Sequence, residues 1–193
     1  MSIKVLTLLS TYQQQGNTKC LVDHFIKGLE ETKKVEHHLH NVRTEELNGC
    51  KGCLTCAKDN EFKCSQNDKT FELMKEMLES DIVVFAFPIY WYYMPGELKK
   101  FIDRTVAFFN WNGFVPKQEV KEKLKKITFV ALVTCGSAGI EASVEPIKML
   151  AKMSGGKYEE LALTGGHSNT SIAENEEKMK QGIELGKKVA SQF

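Results

Sequence analysis

The chain has 193 residues, of which 42% are hydrophobic and 26% are charged, and its formal net charge is +1. This composition is ordinary for a globular protein and provides no strong positive charge for holding nucleic acid or an anionic membrane. No apolar run approaches the ~20 residues of a membrane-spanning helix, and the first residues lack the pattern of a signal peptide. We therefore expect one domain over residues 1–193, located in the cytoplasm.

Apolar strands alternate with segments of helical periodicity along the whole chain. In chain order, the sequence predicts a strand at 3–9, a helix from 17, a weak strand at 35–42, a helix at 69–79, a strand at 81–88, a helix at 96–109, a charged connection at 116–126, a strand at 127–134, a helix to about 153, a strand near 158–164 and a helix at about 171–190. This alternation predicts a doubly wound α/β fold, with a five-stranded parallel sheet and helices on both faces.

Ligands of such sheets bind outside the carboxyl ends of the strands, so the loops that follow the strands are the first places to examine. The loop from Ser10 to Thr18 joins a buried strand to a helix and has no Lys or Arg. Its hydroxyl groups and the free N–H groups of the helix end can bind an anion. It matches neither a nucleoside-triphosphate loop nor GxGxxG. We expect it to hold a buried monophosphate; the alternative is that Asn17 and Thr18 only cap the helix.

Two further loops have the features of a ligand site. The segment 88–96 is rich in aromatic residues, among them Tyr90 and Trp91, whose flat side chains can pack on a planar ring. The alternative is that these side chains serve internal packing or a dimer contact. The segment Thr134–Gly139 contains small residues, which let a ligand approach the backbone closely.

Four of the six cysteines lie within fifteen residues, as Cys50-x2-Cys53-x2-Cys56-x7-Cys64, inside a loop over 48–68. A disulfide framework is not expected in a reducing compartment. Two successive Cys-x2-Cys steps and a fourth cysteine are typical of the run that holds an iron–sulfur cluster. Zinc sites usually separate their two Cys-x2-Cys pairs further, so zinc is a weaker alternative. The third alternative is a loop that holds no metal.

The three loops together resemble those of the NAD(P)H-dependent FMN reductases of the flavodoxin-like fold. The resemblance extends over nearly the whole chain, and its most specific part is Pro88-Ile89-Tyr90 followed by Lys99-Lys100-Phe101-Ile102-Asp103-Arg104. One departure is that Ser10-Thr11-Tyr12 stands where the family usually has Ser-Pro-Arg. The cysteine run is similar to that of the family's iron–sulfur flavoprotein branch, which places a [4Fe-4S] cluster near FMN.

The resemblance implies that FMN takes electrons from NAD(P)H and passes them to a quinone, an azo or nitro compound, free flavin or a redox protein. It implies three groups of FMN-binding residues: Ser10, Gly16, Asn17 and Thr18 at the phosphate; Pro88, Ile89, Tyr90 and Trp91 along the ring; and Thr134, Cys135 and Gly136 in the third loop. The cysteine run implies Cys50, Cys53, Cys56 and Cys64 as cluster ligands. Because the flavin performs the chemistry, we assign no catalytic acid, base or nucleophile.

An iron–sulfur electron carrier is one alternative function, and a non-enzymatic zinc or thiol sensor on the same fold is another. For the remaining candidates we expect structural roles: Asp68 as a helix N-cap, an ion pair between Asp103 and Arg104, and exposed positions for the histidines at 37, 38, 40 and 167. The alternative for His167, which follows Gly165-Gly166 at the end of the last strand, is that it reaches the flavin edge. The stretch Phe108-Phe109-Asn110-Trp111 favours a homodimer.

Overall fold

Five parallel strands in the order β2-β1-β3-β4-β5 form the centre of the computed structural model, which describes residues 2–193. The strands are β1 Ile3–Leu9, β2 Val35–Asn41, β3 Ile82–Pro88, β4 Thr128–Thr134 and β5 Lys157–Leu163. The helices are α1 Asn17–Glu30, α2 Lys69–Leu78, α3 Gly96–Arg104, α4 Gln118–Lys126, α5 Ile140–Ser154 and α6 Glu176–Ala190, with short 3₁₀ turns at Thr55–Ala57 and Thr105–Phe108. The predicted doubly wound sheet is confirmed.

Alternate residues of the central strands point to two separate cores, one on each face of the sheet. In β3, Val83 and Phe85 pack into the core beneath α2, α3, α4 and α5, whereas Val84 and Ala86 pack into the core beneath α1 and α6. Strands covered on both faces read as continuous apolar runs, which explains why β1, β3 and β4 were the clearest strands in the sequence. None of the helices in residues 2–193 is long and apolar enough to cross a membrane.

Two predicted helix boundaries and one predicted connection were wrong. The helix expected at 96–109 ends at Arg104 and tightens into the 3₁₀ turn, where the Thr105 hydroxyl bonds to the Ile102 carbonyl at 2.7 Å. The charged connection at 116–126 contains α4, because Val120 and Leu124 lie one turn apart and are both buried while the charges point outward. The last helix begins at Glu176, after Asn175 caps it, and the residues before it form a loop.

Candidate functional site

One cavity of about 200 Å³ lies at the carboxyl edge of the sheet, and the loops after β1, β3, β4 and β5 line it. The strand order reverses here, since β1 has β2 on one side and β3 on the other. Ligands of open α/β sheets bind at this kind of switch point. The three loops predicted from the sequence therefore do meet, and a fourth joins them.

The loop after β1 provides an uncapped helix end. Gly16 is the N-cap of α1, no side chain caps the helix, and its first turn contains no acidic residue. A Cβ on Gly16 would lie 2.6 Å from the Cβ of Gln13, so the loop closes this tightly only with glycine there. The N–H groups of the first turn have no partner within the helix. That of Asn17 donates to the Asn169 carbonyl at 2.8 Å, which leaves those of Thr18 and Lys19 for an anion.

Ser10 is fully buried at the end of β1, and its Oγ has no hydrogen-bond partner. A buried hydroxyl without a partner destabilises the protein by about 1–3 kcal/mol. Neither Ser10 nor Gly16 lines the cavity itself, whereas Thr11 and Gln13 of the same loop do. A bound group that reached this hydroxyl would remove the cost.

Asn17 and Thr18 both line the cavity, and their side chains hold neighbouring loops in place. Asn17 Oδ1 accepts hydrogen bonds from the backbone N–H groups of Ile172 and Ala173 at 3.0 and 2.9 Å, and its Nδ2 donates to the Ser168 carbonyl at 2.9 Å. Thr18 Oγ1 shares a hydrogen bond of 2.7 Å with Thr134 Oγ1. The alternative that these side chains cap α1 is wrong.

The loop after β3 brings Pro88, Ile89 and Tyr90 to the cavity wall. Tyr90 and Tyr93 exchange two backbone hydrogen bonds, of 3.0 and 3.1 Å, across a tight turn. The residues between them, Trp91 and Tyr92, have left-handed φ angles of 46° and 65°, which aromatic residues rarely adopt. Trp91 is 92% exposed and does not line the cavity, so it stands beside the site and not in it.

Arg43, two residues after the end of β2, adds a positive charge beside the turn formed by residues 90–93, which we call the aromatic turn. Its guanidinium carbon lies 4.3 Å from the ring centroid of Tyr12 and 5.6 Å from that of Tyr90, and its Nη1 donates to Glu97 at 2.6 Å. The sequence analysis did not select this residue, because nothing in the weakly marked β2 segment indicated that its end would reach the first and second loops.

The loops after β4 and β5 complete the cavity. Thr134, Cys135 and Gly136 line it as predicted, and burial raises the pKa of the Cys135 thiol. Four residues of the fourth loop also line it: Gly166, His167, Ser168 and Asn169. The N–H of Gly166 donates to the carbonyl of Cys135 at 2.8 Å, which joins these two loops. The glycine pair before His167 was the only sequence signal for this loop.

The cysteine loop lies apart from this cavity. All four of its cysteines are free thiols, and all four line a second cavity of about 280 Å³ together with Arg104 and Trp111. Within residues 2–193, no three His, Cys, Asp or Glu side chains already have a geometry that could hold a metal ion. The structure therefore brings the four predicted ligands to one cavity without assembling them into a finished metal site.

The thiol of Cys53 is surrounded by hydroxyl groups. Its Sγ lies 3.0 Å from Ser65 Oγ and 3.4 Å from Thr55 Oγ1. Hydrogen bonds with Ser65 and then Thr55 lower the pKa of this thiol to about 7. Since metals bind the thiolate form, this environment favours a ligand role for Cys53.

Arg104 forms its ion pair with Asp68. The pair with Asp103 that the sequence predicted is therefore wrong. Arg104 Nη1 donates to both Asp68 oxygens at 2.6 and 2.7 Å, while Asp103 pairs with Lys99. Asp68 also accepts from the N–H of Phe71 at 3.1 Å, which confirms that it is the N-cap of α2. One buried ion pair thus connects the helix after the aromatic turn to the helix after the cysteine loop.

The histidines of β2 are paired with other side chains. His38 Nδ1 lies 2.7 Å from Glu76 Oε1, and His40 Nε2 lies 3.1 Å from the other oxygen of the same carboxylate. His37 is half-buried, and its Nε2 lies 2.9 Å from Thr7 Oγ1. These contacts tie the edge strand to α2 and to β1, which is a structural role.

The chain thus has an open, doubly wound sheet with an uncapped helix end and an aromatic turn at its switch point, where proteins of this fold class bind their ligands. The family model described as "NADPH-dependent FMN reductase" matches residues 3–159, so the chain belongs to the NADPH-dependent FMN reductase family.

Among curated relatives, an iron–sulfur flavoprotein of Archaeoglobus fulgidus is 31% identical over 106 residues, which are 55% of this chain and 47% of that protein. The chain thus spans about half the length of this relative. Among solved structures, an NAD(P)H:quinone oxidoreductase from Methanothermobacter marburgensis has a TM-score of 0.69 at 13% identity, covering 98% of both chains. An FMN-dependent NADH-azoreductase from Bacillus anthracis, solved with FMN, has a TM-score of 0.68 at 14% identity, also covering 98% of both. These two likenesses establish the fold.

Proposed function

We propose that this protein is an FMN-dependent oxidoreductase that takes electrons from NAD(P)H and delivers them to a quinone, an azo or nitro compound, or a flavin. The observation that carries the proposal is the orphaned Ser10 hydroxyl at the end of β1, in the loop that leads to the uncapped N-terminus of α1 at the sheet's switch point. Membership of the FMN reductase family supports the same cofactor.

The residues at the cavity fit the parts of FMN. Ser10, which lies behind the cavity lining, and the N–H groups of Thr18 and Lys19 in the first turn of α1 would hold the phosphate, which needs several donors and no formal positive charge. Ile89 and Tyr90 offer an apolar wall to the flavin ring, and Gly136 lets it approach the backbone. Trp91, exposed on its left-handed turn, would contact the outer side of the ring or a nicotinamide placed on it.

When bound, FMN supplies the redox chemistry, accepting a hydride from NAD(P)H and passing electrons onward. The protein's own residues bind and orient. The Thr18–Thr134 hydrogen bond and the three bonds of Asn17 hold the loops after β1, β4 and β5 at fixed separations. A fixed cavity places donor and flavin at reacting distance, and this positioning is the protein's main contribution to the rate.

The test is Ser10→Ala, compared with Thr18→Val. Ser10→Ala should weaken FMN binding by ~1–3 kcal/mol, because a hydrogen bond to a charged group is lost. It should leave the unfolding free energy of the apoprotein unchanged or slightly higher, because the hydroxyl has no protein partner. Thr18→Val should instead destabilise the apoprotein by about 1 kcal/mol, since it removes the bond to Thr134. Unchanged flavin affinity in Ser10→Ala would place the phosphate elsewhere.

A second candidate is an iron–sulfur flavoprotein that carries electrons through a [4Fe-4S] cluster on Cys50, Cys53, Cys56 and Cys64. Four free thiols on one cavity support it, as does the printed name of the Archaeoglobus fulgidus relative. The donor set fits this cluster, which takes four thiolates, although the exposed loop must close around it. When bound, the cluster would supply one-electron transfer to a redox-protein partner.

Iron and acid-labile sulfide, measured per chain after anaerobic reconstitution, test the second candidate. We expect roughly four of each in the wild type and a sharp loss in Cys53→Ser. Cys20→Ser is the matched control, because Cys20 lies on α1, outside the cysteine loop. Zinc binding without iron would favour the zinc or thiol sensor, and no metal at all would leave a plain flavin reductase.

We also propose that the chain is one domain over 1–193 carrying the cysteine loop at 48–68, that it forms a homodimer and that it works in the cytoplasm. Six free cysteines are typical of a reducing compartment. Within the stretch that the sequence suggested for a dimer surface, Phe108 is fully buried and Trp111 is 43% exposed. Phe109 of that stretch lines an apolar groove of about 570 Å³ with Phe114, Met149 and Met153, which a second copy could cover; sedimentation of the full chain should then give twice the chain mass.

A further inference from the structure

Lys117 is a buried positive charge that the FMN site does not explain. Its side chain is fully buried, and its Nζ donates to the backbone carbonyls of Cys56 and Glu61, both at 2.6 Å. No carboxylate in residues 2–193 forms an ion pair with it. Asp59, in the same loop, pairs with Lys63, whose hydrogen bond is the main cause that lowers the pKa of this carboxyl; the charge of Lys117 contributes least. A buried ammonium without an opposite charge is costly, so such groups are normally paired.

Arg104 approaches the same loop from α3. Its side chain is 1% exposed, and its Nη2 donates to Cys64 Sγ at 3.2 Å and to the Gln66 carbonyl at 2.9 Å. Asp68 already neutralises this guanidinium. What Arg104 adds is therefore the N–H···S hydrogen bond to Cys64 and a fixed geometry for the last residues of the cysteine loop.

Both cations therefore contact residues at cysteine positions of one loop, Cys56 through its carbonyl and Cys64 through its sulfur. Four thiolates around a metal centre carry a net negative charge, and that charge would neutralise the ammonium that the rest of the protein leaves unpaired. The contacts of Lys117 and Arg104 are evidence independent of the cysteine spacing, because these two residues come from other parts of the chain, directly before α4 and at the end of α3.

We propose that Lys117 is the counter-charge of the four-thiolate site and that Arg104 is its positioning residue, which fixes Cys64. This assignment rests on the second candidate function. A positive charge close to a cluster stabilises its more negative, reduced form, and hydrogen bonds to the sulfurs do the same. Lys117 therefore raises the cluster's reduction potential and strengthens thiolate binding of a metal.

The experiment compares full-length, FMN-loaded wild type with Lys117→Met, Lys117→Arg and Lys121→Met. Met has nearly the length of Lys without its charge, and Lys121 is an exposed lysine on α4, the helix that follows Lys117 directly. The readouts are iron per chain, the midpoint potential of the reconstituted cluster, and Co²⁺ affinity followed by its thiolate absorption. Lys117→Met should have a lower potential and about tenfold weaker Co²⁺ binding. Lys117→Arg should restore most of both, and Lys121→Met should equal the wild type.

Equal potentials and Co²⁺ affinities in Lys117→Met and wild type would overturn the assignment while leaving the four-thiolate site intact. A wild type that binds neither iron nor Co²⁺ would overturn the site and the assignment together. If Lys117→Met does not fold, Arg104→Lys carries the test, because it keeps the charge beside Asp68 but loses the bond to Cys64. It should release metal to a chelator about tenfold faster than wild type, with FMN binding unchanged; equal release would contradict the proposal.

Discussion

At the scale of single residues, the most informative side chains are buried polar groups, and what matters is which hydrogen-bond or charge partners each of them has. The sequence places Ser10 at the end of a strand, but only the folded loops leave its hydroxyl without a partner. Likewise, Lys117 belongs to a segment that the sequence predicted to be a charged connection, yet its side chain is fully buried against the cysteine loop. Residue type and spacing predicted positions near a site, whereas burial and partner geometry depend on contacts between distant segments and could not be predicted.

His37 should make the stability of the protein depend on pH. Burial lowers the pKa of its imidazole, opposed by Asp23 and reinforced by Lys19 and His38. The unfolded chain then binds more protons than the folded chain, so the stability is fully present above the unfolded pKa near 6.5 and is lost as pH falls through the folded value. The unfolding free energy should therefore fall less in His37→Gln than in wild type between pH ~7.5 and ~5.

Urea unfolding at a series of pH values measures this difference. His38 and His40 are present in both proteins, so their pairing with carboxylates cancels in the comparison. Parallel curves for the two proteins would show that His37 does not couple proton binding to folding.

At the scale of secondary-structure elements, the close packing of α1 against α6 depends on glycines. A Cβ on Gly186 would lie 2.2 Å from the Phe25 carbonyl oxygen, and one on Gly28 would lie 2.2 Å from that of Ile183. The helix backbones therefore touch where a side chain would keep them apart. Periodicity predicted both helices but gave no sign of this close approach, because glycine in a helix reads only as a weak helix former.

Gly186→Ala should destabilise the protein by about 2–3 kcal/mol, because the added methyl group forces the two helices apart. Gly96→Ala is the matched control, since it lies in the first turn of α3 and nothing lies within 4 Å of its added Cβ. It should change the unfolding free energy by less than about 0.5 kcal/mol. Chemical denaturation of the two variants measures both values, and an equal effect would show that the helices adjust without cost.

At the scale of the whole molecule, the parallel sheet with helices on both faces followed from the sequence, whereas the order of its strands is known only from the structure. Alternating strands and helices predicted the sheet, and the sheet predicted that the loops after β1, β3 and β4 would meet. The loop after β5 was not selected because Gly165-Gly166 was its only signal and His167 was expected at the surface. Asn17 holds this loop against the cavity through three hydrogen bonds. Trp91 stands 92% exposed on a left-handed turn, which the sequence did not predict, and its contact with the flavin ring stays a prediction.

The proposed function requires that the cavity at the carboxyl edge binds FMN and that NAD(P)H reduces it there. The most direct measurement is an anaerobic absorption titration: apoprotein is loaded with FMN, freed of unbound flavin, and then mixed with NADH or NADPH. We expect one FMN per chain, loss of the oxidised flavin band on adding one of the nucleotides, and its return when a quinone is added. A protein that retains no FMN, or retains FMN that neither nucleotide reduces, would contradict it.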